Sequence, residues 1–427
     1  MLSRKDHELL GQTGAGTPMG ELLRRYWVPA VLSEEVPECD GAPVRVRLLG
    51  EGLIAFRDST GQVGLLEEHC AHRGASLYFA CNADRGLRCA YHGWKYDLQG
   101  RCVDMPNEPP TSKFRQKIQQ RAYPCQERGG IVWTYMGPAD DVPPLPDLEF
   151  LLVPESHRYV SKRPQQCHWT QGMDGDMDSS HLAFLHSEPM GERRSQGSKT
   201  AAWLLDDTAP KIEILDTTYG VLLGARRAAD EDTYYWRLNQ WLMPWYTYIP
   251  PFTGDVPIPG HAWVPLDDQT CWAYTFSWHP TRPLREDERA RMRRGDALYS
   301  ELIPGTYRPK RNRDNGYTDP DAPPDGQPWR RIRELQDQDV SMTEGMGPLY
   351  DRTRERLSPS DVAIIRVRRQ LIAAAKRLRR DGQLVRPGPE DYRARPVCVV
   401  LPRDVTDWAA AAGKAMEARP ETFVPSA

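Results

Sequence analysis

Two cysteine–histidine pairs lie close together in CAHRGASLYFACNADRGLRCAYHGWKYD, which runs from residue 70 to 97. They are Cys70 with His72 and Cys89 with His92, in a chain that has only 9 cysteines and 10 histidines. Thiolate and imidazole groups are the ligands that soft and borderline metal ions prefer. Either the pairs share one metal site on two short loops, or the pairing is coincidence. A shared site would fix the fold of this region.

Two kinds of metal centre fit C-x-H followed by C-x-x-H. One is structural zinc. The other is a Rieske [2Fe-2S] cluster, in which two cysteines bind one iron and two histidines the other. Gly74 and Gly93 follow the pairs, where backbone amides must come close to the cluster sulfides, and Trp94 and Tyr96 can shield the cluster from water. These neighbours favour the Rieske cluster.

A second group of candidate metal ligands lies in HWTQGMDGDMDSSHLAFLHSE, residues 168–188. Asp178, His181 and His186 read D-x-x-H-x-x-x-x-H. Two imidazoles and one carboxylate, with open positions left for O₂ and substrate, form the facial triad of non-haem Fe(II) enzymes. Positions i and i+5 of a regular helix are about 140° apart. We therefore predict a helix irregularity at 182–185, with a π-type bulge as the expected form.

Hydrophobic patterning divides the chain into an all-β region and a mixed region. Between residue 43 and about residue 137, the segments VRVRLLG, GLIAFRD, QVGLLEE and GGIVWTYMG have the character of strands. A short helix is predicted before them, in GELLRRYWVPAV. The stretch GPADDVPPLPDL is rich in Pro and Asp and is the predicted linker. The remainder mixes strands with helices, of which the last clear one is predicted to begin at SPSD with Ser358 as its cap. RPKRNRDNGYTDPDAPPDGQPW is predicted to be a long surface loop.

Composition excludes several classes of protein. The formal net charge of −3 gives no general attraction to nucleic acid or to an anionic membrane. No apolar run approaches the roughly 20 residues of a membrane span, and the first residues, MLSRKDHELLGQTG, lack the apolar core of a signal peptide. An odd number of cysteines favours reduced thiols or metal ligands over disulfides. We expect a cytoplasmic protein.

The motifs CAHRGA…CAYHGW and D-x-x-H-x-x-x-x-H, in this order, resemble those of the Rieske non-haem iron aromatic-ring hydroxylating oxygenases. The resemblance covers nearly the whole chain and is greatest to the phthalate-dioxygenase-like branch. It implies an α+β protein with an N-terminal segment and all-β Rieske domain over 1–142, whose core is 43–138. It also implies a catalytic domain with a mononuclear iron over 143–427, built from an antiparallel sheet and helices in a helix-grip, START-like arrangement.

The sequence alone leaves Asp337, Asp339 and Glu344 as candidates for the third iron ligand. The family usually places this ligand in a Q-D-x-x-M-x-E-like pattern, and QDVSMTE matches it, which makes Asp339 the choice and Asp337 the second choice. The family often has Asn where this chain has Gly175. Any hydrogen-bonding role of that Asn is therefore absent, or is supplied by another group such as Asp174 or Gln171.

The resemblance also implies how the two sites cooperate. Family members form trimers, here a homotrimer or a dimer of trimers, in which the Rieske domain of one subunit adjoins the catalytic iron of the next. Asp178 would then connect a cluster histidine of one chain, His92 or else His72, to His181 of another. We expect His92, on the second loop, to be the exposed cluster ligand that faces the neighbouring chain.

The function that follows is that of a terminal oxygenase in aromatic compound catabolism. It would use O₂, a [2Fe-2S] cluster and Fe(II) to hydroxylate an aromatic, aryl-carboxylate or phthalate-like compound, with Arg237 or Lys211 as possible partners of the carboxylate. A separate NAD(P)H-dependent reductase, with or without a ferredoxin, would supply electrons, because the chain lacks G-x-G-x-x-G and any flavin pattern. The alternatives are an aromatic O- or N-demethylating monooxygenase and, from another class, a Rieske electron carrier without oxygenase activity.

Overall fold

The structure is a computed structural model that describes residues 2–252, 254–296, 298–318, 328–384 and 386–418. The chain divides into two compact units. The smaller unit contains residues 12–145 and 265–268, and the larger contains 1–11, 146–264 and 269–427. Each is described separately below.

The strands and helices are numbered along the chain. The strands are β1 (Trp27–Leu32), β2 (Val44–Leu48), β3 (Glu51–Arg57), β4 (Val63–Glu67), β5 (Cys81–Ala83), β6 (Gly86–Arg88), β7 (Lys95–Tyr96), β8 (Cys102–Asp104), β9 (Ala122–Tyr123), β10 (Cys125–Arg128), β11 (Ile131–Tyr135), β12 (Arg158–Gln165), β13 (Lys211–Asp216), β14 (Gly220–Ala228), β15 (Thr233–Leu242), β16 (Tyr246–Tyr248), β17 (Ile258–Pro265), β18 (Cys271–Trp278) and β19 (Val397–Pro402). The α-helices are α1 (Arg4–Gly11), α2 (Pro18–Arg24), α3 (Glu149–Leu152), α4 (Trp169–Asp176), α5 (Ser187–Ser195), α6 (Lys199–Asp206), α7 (Glu286–Arg293), α8 (Leu335–Gly345), α9 (Val362–Asp381) and α10 (Trp408–Met416).

The smaller unit consists of three small antiparallel sheets, in the orders β1-β11-β10, β2-β3-β4-β9 and β5-β6-β7-β8. The four segments predicted as strands are β2, β3, β4 and β11. The segment predicted to hold a short helix contains most of α2, but its second half, WVPAV, lies in strand β1. The loop with Cys70 and His72 connects β4 of the second sheet to β5 of the third, and the loop with Cys89 and His92 connects β6 to β7 within the third sheet. Leu77, Leu87 and Tyr96 are fully buried in the core behind those loops.

The larger unit is built on one sheet, in the order β12-β18-β17-β16-β15-β14-β13. Strand β15 is long enough to pair on one side with β14 and on the other with β19 at its start and β16 at its end. The aromatic side chains of Trp241, Trp245 and Trp278 fill the core of this unit. The all-β unit and this sheet with its helices confirm the α+β prediction.

Helices α4 and α8 pack against each other, and α9 packs on β13 and β14. The predicted helix start at SPSD is a 3-10 turn, Pro359–Asp361, that leads into α9, and the Asp361 carboxylate accepts hydrogen bonds from the backbone and hydroxyl of Ser358. A further helix, α10, follows the predicted last one. Asp407 caps it by accepting from the Ala410 amide, and its alanine-rich sequence favours a helix. No helix among the described residues has the length and apolarity that crossing a membrane requires.

The predicted surface loop RPKRNRDNGYTDPDAPPDGQPW is only partly described, because 319–327 lie outside the described residues. Its first part is not wholly at the surface. Arg311 and Tyr317 are only 7% and 8% exposed. They bind the helix that follows the loop, since the Arg311 guanidinium pairs with Asp337 at 2.5 Å and the Tyr317 hydroxyl donates to Glu344 at 2.6 Å.

Candidate metal centres

The two cysteine–histidine loops have the same backbone construction. In the first, the Gly74 amide donates to the Cys70 carbonyl at 2.9 Å, and in the second the Gly93 amide donates to the Cys89 carbonyl at 3.0 Å. Both glycines have a positive φ, of 73° and 77°, which only glycine adopts at low cost. Each cysteine is therefore held in a tight turn with its histidine close behind it.

The four side chains converge at one end of the smaller unit. The thiols of Cys70 and Cys89 belong to residues only 3% exposed, whereas His72 and His92 are partly exposed and their ring centroids are 4.4 Å apart. The buried Nδ1 of His72 has no hydrogen-bond partner, as a metal ligand requires. The Tyr96 hydroxyl lies 3.1 Å from the Cys70 sulfur. Two buried thiols beside two half-exposed imidazoles fit a [2Fe-2S] cluster with two cysteine and two histidine ligands.

In the larger unit, ligand atoms of His181, His186 and Asp339 lie within 4.8 Å of one another. The Nε2 atoms of His181 and His186 are 3.6 Å and 3.1 Å from Oδ1 of Asp339. His181 begins a 3-10 turn that ends at Ala183, His186 directly precedes α5, and Asp339 lies in the middle of α8. The structure thus brings together the two predicted histidines and Asp339.

The Nδ1 atoms of both histidines are engaged on the far side of the rings. His181 Nδ1 lies 3.2 Å from the Asp178 carboxylate, and His186 Nδ1 lies 2.7 Å from the amide oxygen of Gln338. The amide nitrogen of Gln338 donates to the Ile332 carbonyl at 2.7 Å, which fixes the amide oxygen toward His186. Each ring therefore donates from Nδ1 and presents the lone pair of Nε2 toward Asp339.

With both Nε2 atoms unprotonated, no hydrogen atom lies between either imidazole and the carboxylate oxygen of Asp339. A bound cation would accept electron pairs from all three groups. One carboxylate and two neutral imidazoles, with further positions open, are the ligand set of a mononuclear non-haem iron. The residues present therefore fit an iron ion.

The irregularity between the two histidines is present, but its predicted form is wrong. Instead of a π-type bulge, the chain makes the 3-10 turn His181–Ala183 and begins a new helix at Ser187. His186 directly precedes that helix. This break in the helix turns the two imidazoles toward one point, and their ring centroids are 5.1 Å apart. A bulge inside a continuous helix is therefore not needed to bring the two histidines together.

The other acidic candidates are engaged elsewhere. Asp337 lies on another face of α8, where it pairs with Arg311, and Glu344 accepts hydrogen bonds from Tyr317 and the Gln166 amide. Asp174 pairs with two arginines, Arg352 and Arg368. Gln171 binds the backbone at Thr343, Gly347 and Tyr350. Neither Asp174 nor Gln171 thus takes over a role at the histidines, and the group that orients His186 is Gln338.

Comparison with known proteins agrees with both sites. Residues 26–119 match the Rieske [2Fe-2S] domain, and residues 134–420 match the family described as LigXa C-terminal domain like. The chain is 34% identical to the 3-chlorobenzoate-3,4-dioxygenase oxygenase subunit of Comamonas testosteroni, over 96% of this chain and 97% of that protein. It is 35% identical to the phthalate 4,5-dioxygenase oxygenase subunit of Pseudomonas putida, over 96% and 94%.

The chain belongs to the family of Rieske non-haem iron oxygenase subunits. Its fold is also similar to that of the terminal oxygenase of carbazole 1,9a-dioxygenase from Nocardioides aromaticivorans, with a TM-score of 0.58 and 20% identity over 87% of this chain and 97% of that one. The predicted enzyme class and the two iron cofactors are confirmed. The assignment of individual ligands stays a prediction that the geometry supports.

A cavity of about 260 Å³ in the larger unit of this oxygenase subunit reaches the triad. Its lining includes the triad and Asp178, an apolar wall and several polar groups. The apolar wall contains Leu182, Met190, Ile249, Phe252, Val256 and Leu335. Strand β15 contributes Arg237 and Asn239 to the cavity and its tryptophans to the core. The other predicted carboxylate partner, Lys211, pairs with Glu213 and is absent from the lining.

Two further groups near the triad were missed from the sequence. The Asp176 carboxylate accepts hydrogen bonds from His261, Trp263 and Thr247, and it lines the cavity. The buried guanidinium of Arg227 donates to the backbone oxygen of Ser179 at 2.6 Å and holds the segment between Asp178 and His181. The partners of both groups are distant in sequence, and no local pattern signals them.

Proposed function

We propose that the chain is the terminal oxygenase of a system that hydroxylates an aromatic carboxylate. One observation carries this proposal. The Arg237 guanidinium lines the cavity of the iron triad, is 2% exposed, and forms no ion pair with a carboxylate among the described residues. A buried cation of this kind is costly unless an anion comes to it.

The contacts of Arg237 leave room for such an anion. The guanidinium donates to the Pro250 carbonyl at 2.9 Å and to the Tyr235 hydroxyl at 3.4 Å, while its Nε has no partner. Burial and the charge of Arg237 lower the pKa of the adjacent Arg227 to about 10. The guanidinium also lies 3.7 Å from the Cys398 sulfur, but no carboxylate among the described residues pairs with it, which favours a bound carboxylate.

The cavity wall beside Arg237 suits an aromatic ring. The Phe252 ring lies between two guanidinium groups, 5.1 Å from that of Arg237 and 4.5 Å from that of Arg193. Arg193 likewise forms no ion pair among the described residues, and it also lines the cavity. One end of a substrate would bind the arginines, and the apolar wall would exclude water from the rest.

We propose Cys70, His72, Cys89 and His92 as the cluster ligands, and His181, His186 and Asp339 as the iron ligands. When bound, the iron activates O₂ and the cluster supplies electrons. The protein contributes orientation, since Asp178 and Gln338 fix the tautomers that aim both Nε2 atoms at one point.

We also propose that electrons cross between copies, from His92 of one chain through Asp178 to His181 of the next, in a trimer. The Asp178 side chain is 25% exposed, and a second cavity of about 400 Å³ reaches it. The rim of that cavity carries Phe184, Met342 and Met346, which are 62%, 42% and 50% exposed. Exposed apolar side chains around a carboxylate are typical of a surface that another protein covers. A reductase, directly or through a ferredoxin, supplies the electrons.

Substitution of Arg237 tests the substrate class. We expect Arg237→Gln to weaken the binding of benzoate and phthalate about 10- to 100-fold, because a hydrogen bond to a charged group contributes roughly 1.5–3 kcal/mol. Binding of the uncharged methyl esters should change little. The matched control is Arg226→Gln on the neighbouring strand, where Arg226 stacks on Tyr234 outside the cavity. Equal carboxylate affinity in parent and Arg237→Gln would remove the proposed substrate class.

Product analysis with a reconstituted reductase separates the remaining alternatives. A dihydrodiol or phenol from an aryl carboxylate supports ring hydroxylation, whereas formaldehyde from a methoxyarene or N-methylarene identifies a demethylase. An electron carrier would give neither product. It would also hold about two irons per chain, against about three for the oxygenase.

A further inference from the structure

A short basic turn lies beside the cluster loops in the smaller unit. It contains Lys113 and the 3-10 turn Phe114–Lys117, and its members Lys113, Phe114, Arg115 and Lys117 are all exposed. We call residues 113–117 the basic turn. The surrounding sequence PPTSKFRQKIQQR has four cations and no acidic residue, in a chain whose net charge is −3.

The cations of the basic turn are uncommitted. None of the three forms an ion pair within the described part of the chain, and Arg115 donates instead to the backbone carbonyl of Val103 at 2.9 Å. Phe114 and Val103 are 46% and 40% exposed. Exposed apolar groups among unpaired charges of one sign are typical of a surface that binds a partner of opposite charge.

Three rings connect this surface to the cluster loops. The Phe114 ring lies edge-on to Trp94, with centroids 6.2 Å apart. Trp94 is 3% exposed and stacks on His72 at 4.3 Å, with ring planes only 11° apart. The Trp94 indole nitrogen donates to Asn107 at 2.8 Å, which fixes its orientation. A continuous series of packed rings thus runs from an exposed side chain to a proposed cluster ligand.

We infer that the basic turn is the docking surface for an acidic electron-transfer protein, and that Phe114 and Trp94 carry its electron toward His72. This inference rests on the proposed role of His72 as a cluster ligand. The partner gives up one electron and is left oxidised by one electron, the cluster at His72 is reduced by one, and no atom is transferred. A polyanion without a redox centre would make no use of the ring series, which favours a redox protein over nucleic acid.

The test uses the full chain with its metals and an acidic plant-type [2Fe-2S] ferredoxin as the probe. The variant combines Lys113→Glu, Arg115→Glu and Lys117→Glu. The matched control makes the same change of charge in the larger unit, at three exposed cations, with Arg377→Glu, Arg379→Glu and Lys414→Glu. Cluster reduction by chemically reduced ferredoxin is followed by its absorbance in a stopped-flow instrument. Binding of oxidised ferredoxin is measured by calorimetry.

We expect the basic-turn variant to lose about tenfold or more in the second-order reduction rate at low salt, together with most of its salt dependence and its affinity for oxidised ferredoxin. The control should match the parent. An unchanged variant, or an equal loss in the control, would overturn the docking surface. If the sedimentation coefficient changed in the basic-turn variant and not in the control, the docking surface would also be refuted. The basic turn would then lie at an interface between copies of this chain.

Phe114→Ala tests the ring series separately. We expect it to retain ferredoxin affinity but to slow electron transfer at saturating ferredoxin, and Phe114→Tyr to restore the rate. Transfer at the parent rate in Phe114→Ala would refute the path. Photoreduced deazariboflavin, a neutral reductant, should reduce every variant equally, and a slower reaction would indicate damage to the cluster and refute the docking explanation. Because these assays contain neither O₂ nor aromatic substrate, their failure leaves the proposed oxygenation untouched.

Discussion

Replacing Gln338 by leucine tests whether the iron site depends on a side chain that never contacts the metal. The change removes the acceptor of His186 Nδ1 at 2.7 Å and the donor to the Ile332 carbonyl at 2.7 Å, in a residue that is 1% exposed. Loss of such an orienting partner typically weakens metal binding about 10- to 100-fold, which equals about 1.4–2.7 kcal/mol. The unpaired Ile332 carbonyl should lower the free energy of unfolding by a further roughly 1–3 kcal/mol.

The assay is anaerobic Fe(II) titration against a chromophoric chelator, with chemical denaturation run in parallel. Gln171→Leu is the control, because Gln171 is 2% exposed and binds the backbone at Thr343 and Gly347 without contact with either histidine. It should lose stability and keep its iron affinity. An iron affinity within about twofold of the parent in Gln338→Leu would refute the orientation argument, as would an equal loss in Gln171→Leu.

Three other substitutions separate the roles of the acidic residues. Asp339→Asn should lose the mononuclear iron and keep the cluster. Asp337→Asn should keep both metals and lose about 3 kcal/mol of stability, because a neutral amide replaces the buried carboxylate that pairs with Arg311. Metal analysis and denaturation check this, and iron loss in Asp337→Asn would contradict it. Asp178→Asn should retain both metals, because an amide oxygen can still accept a hydrogen bond from His181 Nδ1. Its turnover should fall to background. Normal turnover would contradict the proposed electron transfer through Asp178 between copies.

Local patterns were sufficient wherever one short segment supplies the whole feature. The two cluster loops are such a case, because Cys70 and His72 lie two residues apart and the glycine that closes the turn follows directly. Four strands of the smaller unit were predictable for the same reason, since short runs rich in β-branched and apolar residues between turn residues mark them. The spacing of Asp178, His181 and His186 likewise identified them as candidate residues of an iron site.

The form of the helix break required the tertiary structure. Spacing showed that a regular helix could not aim both histidines at one point, but a bulge and a complete break both meet that condition. The third ligand could be chosen from the sequence only through the family pattern, because Asp337 and Asp339 are two positions apart on α8 and about 200° of rotation separates them. In the structure Asp339 faces the histidines and Asp337 faces Arg311.

What the sequence by itself indicated is the chemistry: two thiols, four imidazoles and a carboxylate, whose motifs and order along the chain resemble those of the Rieske non-haem iron oxygenases. What only the tertiary structure decided is the environment of that chemistry. Gln338 reaches His186 across 152 residues, and Arg237 is an uncompensated cation because no acidic side chain of the described fold lies beside it. These contacts depend on which surfaces pack together. Residues that are far apart in the chain and close in space cannot be recognised from a local sequence pattern.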